Sequence, residues 1–231
     1  MRKLMGVVAV LGWLLLASAA ASAPAPRDAT PPKPSYCGSF QLGYAGGTGA
    51  QAGVTIADFA RGFPWAARLS VGYVGVDPGD PLAARANFIN DDTDGTPEES
   101  GHVWDFRLDF LVPVHWMNLQ HAYVVAGPRR SSFQGTFTYV GGNEKFDVTS
   151  SQWGLGAGFE SYFPMSPRAD FLVGAGLDNY FKSTLEGHDT AYNPHREAVN
   201  GREGYDYGTA DEAINQPKLE LRAMLGVAYR L

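Results

Sequence analysis

Hydrophobic and polar residues alternate along most of this chain. In "WDFRLDFLVP" (104–113), Trp104, Phe106, Leu108, Phe110 and Val112 occupy every second position, with Asp105, Arg107, Asp109 and Leu111 between them. Successive side chains of an extended strand point to opposite faces, so this spacing predicts one apolar and one polar face. "QWGLGAGFESYF" (152–163) sets Trp153, Leu155, Ala157, Phe159 and Phe163 against Gln152, Gly154, Gly156, Gly158, Glu160 and Tyr162. "RADFLVGAGLDNYF" (168–181) repeats the design, with Asp170, Gly174, Gly176, Asp178 and Tyr180 on its polar side.

Three further segments share the period. "WAARLSVGYVGV" (65–76) opposes Ala67, Leu69, Val71 and Tyr73 to Arg68, Ser70 and Gly72, and "SFQLGYA" carries Phe40, Leu42 and Tyr44 on one side. "PKLELRAMLGVAYRL" (217–231) alternates from Leu219 to Leu231, with Glu220, Arg222 and Arg230 in the intervening places. Two less regular segments complete a set of eight strands. They are "GVTIADF" (53–59), where "VTIADFARGF" also fits a helical turn, and "HAYVVAGPRRSSFQGTFTYV" (121–140), where Pro128 predicts a bulge. Short connections ("ARGFP", "HWMNLQ", "MSP") are expected at one end. Two long charged loops (77–102 and 186–216) and two medium ones (46–52 and 141–150) are expected at the other.

Such strands suit a soluble sandwich or barrel with the apolar face inward, or a membrane barrel with the sense inverted. The inverted sense is favoured because the apolar faces of five strands carry no charge, and because the polar faces mix glycine with charges of both signs. That mixture fits the narrow interior of an eight-stranded cylinder, which side chains fill. Trp65, Trp116 and Phe163 fall beside the short turns, and Trp104, Trp153, Tyr44, Tyr73 and Phe181 towards the long loops, as two interfacial belts would require. Tyr229 joins these interface aromatics.

Composition narrows the class. The chain has 231 residues, 45% of them hydrophobic, with 28 Gly, one Cys and a net charge of −6. "MRKLMGVVAVLGWLLLASAAASA" (1–23) has the basic start, apolar centre and small-residue tail of a secretory signal. The proline-rich stretch that follows (24–37) is expected to be an extended leader, with the barrel from 38 to 231. Without Arg2 and Lys3, 16 basic side chains face 24 acidic ones, which argues against a nucleic-acid partner. Cys37 stands alone, so no intrachain disulfide can form, and its surroundings lack the small and aliphatic residues that precede a lipidated cysteine.

The signal segment, the eight alternating strands, the loop asymmetry, "WGLGAGFESYF…PRADFLVGAGLDNYF" and the closing "AMLGVAYRL" together resemble the small eight-stranded outer-membrane barrels of Gram-negative bacteria, the OmpA/OmpX and opacity-protein superfamily. The resemblance implies an all-β, antiparallel, up-and-down transmembrane barrel in the outer membrane, with both termini in the periplasm. It also implies insertion by the outer-membrane assembly machinery through the final strand, contact with outer-membrane lipid and lipopolysaccharide, a monomeric state, no cofactor, and a structural, adhesin-like role on the cell surface. The family's last residue is aromatic; here it is Leu231. OmpW-like passage of small hydrophobic molecules is the alternative, and a lipid A-modifying enzyme a further one, although the His-x-Ser-Asn strand motif of lipid A deacylases is missing.

The candidate interior residues are Arg68, Asp105, Arg107, Asp109, Glu160, Asp170, Asp178, Glu220, Arg222 and Arg230. Unpaired charges are costly in a low-dielectric interior, so these are expected to neutralise one another as a plug, or alternatively to line a gated ion pathway. In "NDDTDGTPEE", Asn90, Asp92, Asp94 and Gly95 hold the first, third, fifth and sixth places of a calcium loop, with Glu98 at the ninth, but Gly101 stands where the bidentate Glu belongs. None of His102, His115, His121, His188 and His195 has a metal-ligand spacing.

Overall fold

The computed structural model describes residues 34–231 apart from 61, 93, 116–120 and 143. The signal segment, the leader up to residue 33 and Trp116 lie outside the described residues. The elements in chain order are β1 (Ser35–Ala45), β2 (Thr48–Ala57), β3 (Ala66–Val76), α1 (Pro81–Phe88), β4 (Thr96–Val114), β5 (Ala122–Val140), β6 (Lys145–Pro164), β7 (Ala169–Tyr180), β8 (Leu185–Gly187), β9 (Thr190–Tyr192), α2 (Tyr207–Ala213) and β10 (Leu219–Arg230). All pairings between strands are antiparallel. Strands β1 to β7 pair in sequence, and β10 joins β7 to β1, so eight strands close on themselves and no edge is left in the wall. The closing pair runs from Cys37 opposite Arg230 to Ala45 opposite Arg222. Strand β1 therefore opens at Ser35, inside the stretch assigned to the leader.

Every quoted alternation keeps its sense. Leu69 (66% exposed), Trp153 (59%) and Leu221 (60%) point away from the cylinder, while Arg68, Asp109, Gln152 and Arg222 point in and are buried. Apart from Arg130, the outer surface of the wall between its rims is thus an apolar band, the kind of face that a membrane barrel turns outward. Aromatic contacts mark its two rims. At the long-loop end Tyr73 packs edge-on against Trp104 at 5.1 Å, and at the short-turn end Phe63 sits between Phe59 and Trp65 at 5.0 and 5.3 Å.

Three expectations are corrected. The medium loops at 46–52 and 141–150 are tight hairpins. Gly46 and Gly47 alone join β1 to β2, with Gly46 at φ +76°, and residues 48–52 and 145–150 belong to strands. No bulge interrupts β5. Its register against β4 is the same on either side of Pro128, and only the pairs at Leu108 and Asp109 drop out of the ladder, as expected where a proline lacks its N–H. The expected strand at "GVTIADF" is present up to Ala57, with no helical turn before that residue.

The third concerns the long charged loops, which fold into a cap of helices and strand extensions. Strands β4, β5 and β6 run 19, 19 and 20 residues, well beyond the other wall strands, and the β8–β9 hairpin adds to the free edge of β6. Along these extensions the two faces exchange polarity. Inward positions change from Asp105, Arg107, Arg129 and Gln152 to Val103, Phe133, Phe137, Phe146 and Val148. Outward positions change from Trp104, Phe106 and Trp153 to Glu98, Ser100, Gln134, Thr136 and Asp147. One strand therefore has an apolar outer face and a charged inner face along one stretch, then a polar outer face and an apolar inner face along the next. The switch falls at the level of Trp104, Ser132 and Ser151, which are aligned across β4, β5 and β6.

Helices α1 and α2 pack beneath this awning. Asp80 caps α1 by accepting from the Leu82 and Ala83 amides, and Pro81 takes a helix-opening position. Asp206 and Thr209 form a capping box at the start of α2. Phe88, Ala210, Ala213 and Ile214 then join Phe133, Phe137, Tyr139, Leu185 and Tyr192 in one core over the barrel mouth. Tyrosine hydroxyls clamp α1 at both ends, Tyr139 donating to the Pro81 carbonyl (2.6 Å) and Tyr192 to that of Asn87 (2.7 Å). Burial pushes both hydroxyls above the ordinary tyrosine value, so they stay neutral donors.

Candidate functional site

Inside the wall, between the cap and the short turns, four arginines meet four carboxylates: Arg68, Arg107, Arg129 and Arg222 with Asp105, Asp109, Glu160 and Asp178. The charges balance. Arg68, from β3, donates two hydrogen bonds to Glu160 of β6, both 2.8 Å, and one to Asp109 of β4 at 3.1 Å. Arg107 reaches across the bore to both oxygens of Asp178 on β7, at 2.9 Å each, and to Asp105 on its own strand at 2.6 Å. Arg129 bridges Asp109 (2.8 Å) and Asp178 (3.0 Å). Tyr162 and Tyr180 donate to Glu160 and Asp105 at 3.2 and 3.0 Å. Arg222 lies further off, 3.6 Å from Asp178 and 3.9 Å from Glu160.

The glycine-rich strands make room for these side chains. A Cβ on Gly156 would fall 1.9 Å from Oδ1 of Asp178 and 2.6 Å from Nε of Arg129, and one on Gly176 would come within 3.2 Å of Arg222. The motif "GLGAG" thus has a physical cause, since an inward-facing side chain at Gly156 would displace the partners of the central ion pairs.

Two cavities flank the cluster. One of about 300 Å³ lies on the cap side, bordered by Asp105, Arg107, Asp178, Tyr180, Lys218 and Glu220. Another of about 230 Å³ lies on the short-turn side, near Tyr36, Cys37, Tyr123, Tyr162 and Arg230. Below the charges Ala66, Leu111 and Val125 form a small apolar floor, with Tyr123 against it and edge-on to Tyr162 at 5.4 Å.

Of the residues that the sequence nominates for the interior, Arg68, Asp105, Arg107, Asp109, Glu160, Asp178 and Arg222 come together in the cluster. Asp170 and Arg230 form a separate 2.7 Å pair at the short-turn end, where the Arg230 side chain is half-exposed. Glu220 borders the upper cavity, half-buried. Arg129 is the member that sequence reasoning missed. Its signal was the "PRR" step, in which one of two adjacent arginines must face inward. The calcium candidates are not gathered. Asn90 donates to Glu144 and accepts from the Asp92 amide, Asp94 is exposed, and Glu98 is drawn into β4 opposite Thr138. Among the described residues no group of three or more His, Cys, Asp or Glu is placed to hold a metal.

No protein-family model and no curated protein matches the chain. Among solved structures it is similar to a major outer membrane protein from Thermus thermophilus, with 24% identity, a TM-score of 0.67, and coverage of 86% of this chain and 99% of that one. Neisserial surface protein A (9% identity, TM-score 0.40, 86% and 97% covered) and Ail, the attachment invasion locus protein of Yersinia pestis (10%, 0.45, 87% and 100%), are more distant. The closed wall of eight antiparallel strands and the first of these likenesses agree on one conclusion: the chain has the fold of the small outer-membrane β-barrels.

Proposed function

We propose that the protein is a closed, non-enzymatic barrel of the bacterial outer membrane, monomeric, with a structural and surface-interactive role. The apolar band anchors it in lipid, the charge cluster plugs the bore, and the cap stands outside the cell as its contact surface. Both ends of the described chain meet at the short-turn end, where the Leu231 amide donates to the Tyr36 carbonyl, and that end is assigned to the periplasm.

The observation that carries this reading is the neutral cluster between the two cavities. Its members tie β3, β4, β5, β6 and β7 to one another across the bore, so an ion would have to break several charge-assisted hydrogen bonds to pass. OmpW-like passage needs an open apolar cavity at the loop end, but the apolar side chains there are the packed core of the cap.

In planar lipid bilayers the purified protein is expected to show a heat-modifiable folded band on gels and no stepwise conductance in concentrated KCl. Reproducible open steps from the folded band would contradict the plug.

A further inference from the structure

The second arginine of "PRR" has a different fate. Arg130 faces outward on β5, aligned with Phe106 of β4 and Trp153 of β6. Among the described residues it is the one charge on the outward faces of the eight wall strands between the two aromatic rims. Its guanidinium lies over the Trp153 ring, 5.2 Å from the centroid, and no carboxylate of the described residues pairs with it. It sits one outward step towards the short turns from Trp104, Ser132 and Ser151, the level at which the outer face turns from apolar to polar.

A charge in this place needs an account, because an arginine facing hydrocarbon is tolerated only near the interface and with a partner. One face of the guanidinium is occupied by the indole, which fixes its orientation and lowers its hydration. Its N–H edge is left to donors' work, and a planar fork of N–H groups matches the oxygens of a phosphate two at a time. On either side Phe106, Leu108 and Leu155 offer an apolar surface along which acyl chains can lie.

We propose that Arg130 and Trp153 form a binding site for the phosphate of an acylated lipid in the leaflet at the cap end. The inference rests on the membrane-spanning reading and deepens it, since it assigns one lipid chemistry to one place on the wall. The phosphate meets the guanidinium edge, and the acyl chains follow the apolar positions below.

The test is native mass spectrometry of the full chain released from detergent micelles after incubation with bisphosphorylated lipid A, with dephosphorylated lipid A, or with inorganic phosphate. The wild type is expected to retain the bisphosphorylated lipid, and Arg130→Gln to retain roughly tenfold less, the loss expected for a charge-assisted bidentate contact. The dephosphorylated lipid should bind the wild type as weakly as the phosphorylated one binds the variant. Equal retention by Arg130→Gln, or equal retention of the two lipids by the wild type, would overturn the site. Displacement of the lipid by equimolar inorganic phosphate would reassign it to free phosphate and overturn it as well. The heat-modifiable band separates the two failures. Its presence with no lipid preference sinks the site alone, whereas a chain that stays in the aqueous phase without the band sinks the spanning reading beneath it. The comparison of the two lipids on the wild type needs no variant to fold.

Discussion

Asp178→Ala is expected to destabilise the barrel by about 3–5 kcal/mol, the cost of leaving buried charge without its partner. Asp178 accepts two hydrogen bonds from Nη2 of Arg107, one on each oxygen, and one from Nε of Arg129, and it is the nearest carboxylate to Arg222. Its loss changes a balanced interior into one with an excess positive charge and takes a partner from guanidinium groups on three strands. Arg222→Met is the internal control. Arg222 makes no hydrogen bond to the cluster and only ion contacts of 3.6 and 3.9 Å, so its replacement by an apolar side chain of similar length is expected to cost about 1 kcal/mol or less. Urea titration of vesicle-reconstituted protein, followed by tryptophan fluorescence, measures both. Equal midpoints for Asp178→Ala and the wild type would mean that the cluster contributes nothing to the fold.

The second large effect is local. Phe137 is completely buried under the cap and stacks on Phe146 at 5.3 Å, so Phe137→Ala is expected to cost the cap about 3–5 kcal/mol through lost burial and the cavity left behind. The cap core and the charge cluster are separate sets of residues, and the wall closes through backbone pairs that neither supplies. Limited proteolysis should therefore cut the variant between residues 182 and 206, where the wild type resists, while the heat-modifiable band persists. Loss of that band together with the protection would show that cap and wall unfold as one unit.

The same reasoning explains what could be read from the sequence and what could not. Period two is a property of the backbone, so the inward and outward sense of β3, β4, β6, β7 and β10 was legible from Trp104, Asp105 and their like. Pairing partners were not. That Arg68 reaches Glu160 rather than Asp105 depends on the barrel's closure and on the space left at Gly156, Gly158 and Gly174. The cap was hidden because its strands alternate as regularly as the wall does, with the polarity of the faces exchanged. "SSFQGTFTYV" looks like more membrane strand until Phe133 and Phe137 are seen to face inward. Asp80 followed by Pro81 was a legible helix start inside a segment taken for loop, and Asp206 with Thr209 was another. The calcium spacing misled because loop positions count only if the chain bends around a common centre, and Glu98 is straightened into β4 by its pairing with Thr138. Arg129 and Arg130 escaped notice because Pro128 made their strand one of the two less regular ones.

The central claim is that one strand divides two solvents, lipid and a closed ionic interior. Single spin labels placed in turn at positions 104 to 112 of β4, in vesicles and with Cys37 replaced by Ser, test it most directly. Labels at Trp104, Phe106, Leu108, Phe110 and Val112 are expected to be relaxed by membrane-soluble oxygen and hidden from a water-soluble nickel chelate, and labels at Asp105, Arg107, Asp109 and Leu111 to be shielded from both. Free access of the nickel chelate to the even positions would contradict it, since that face would then be meeting water.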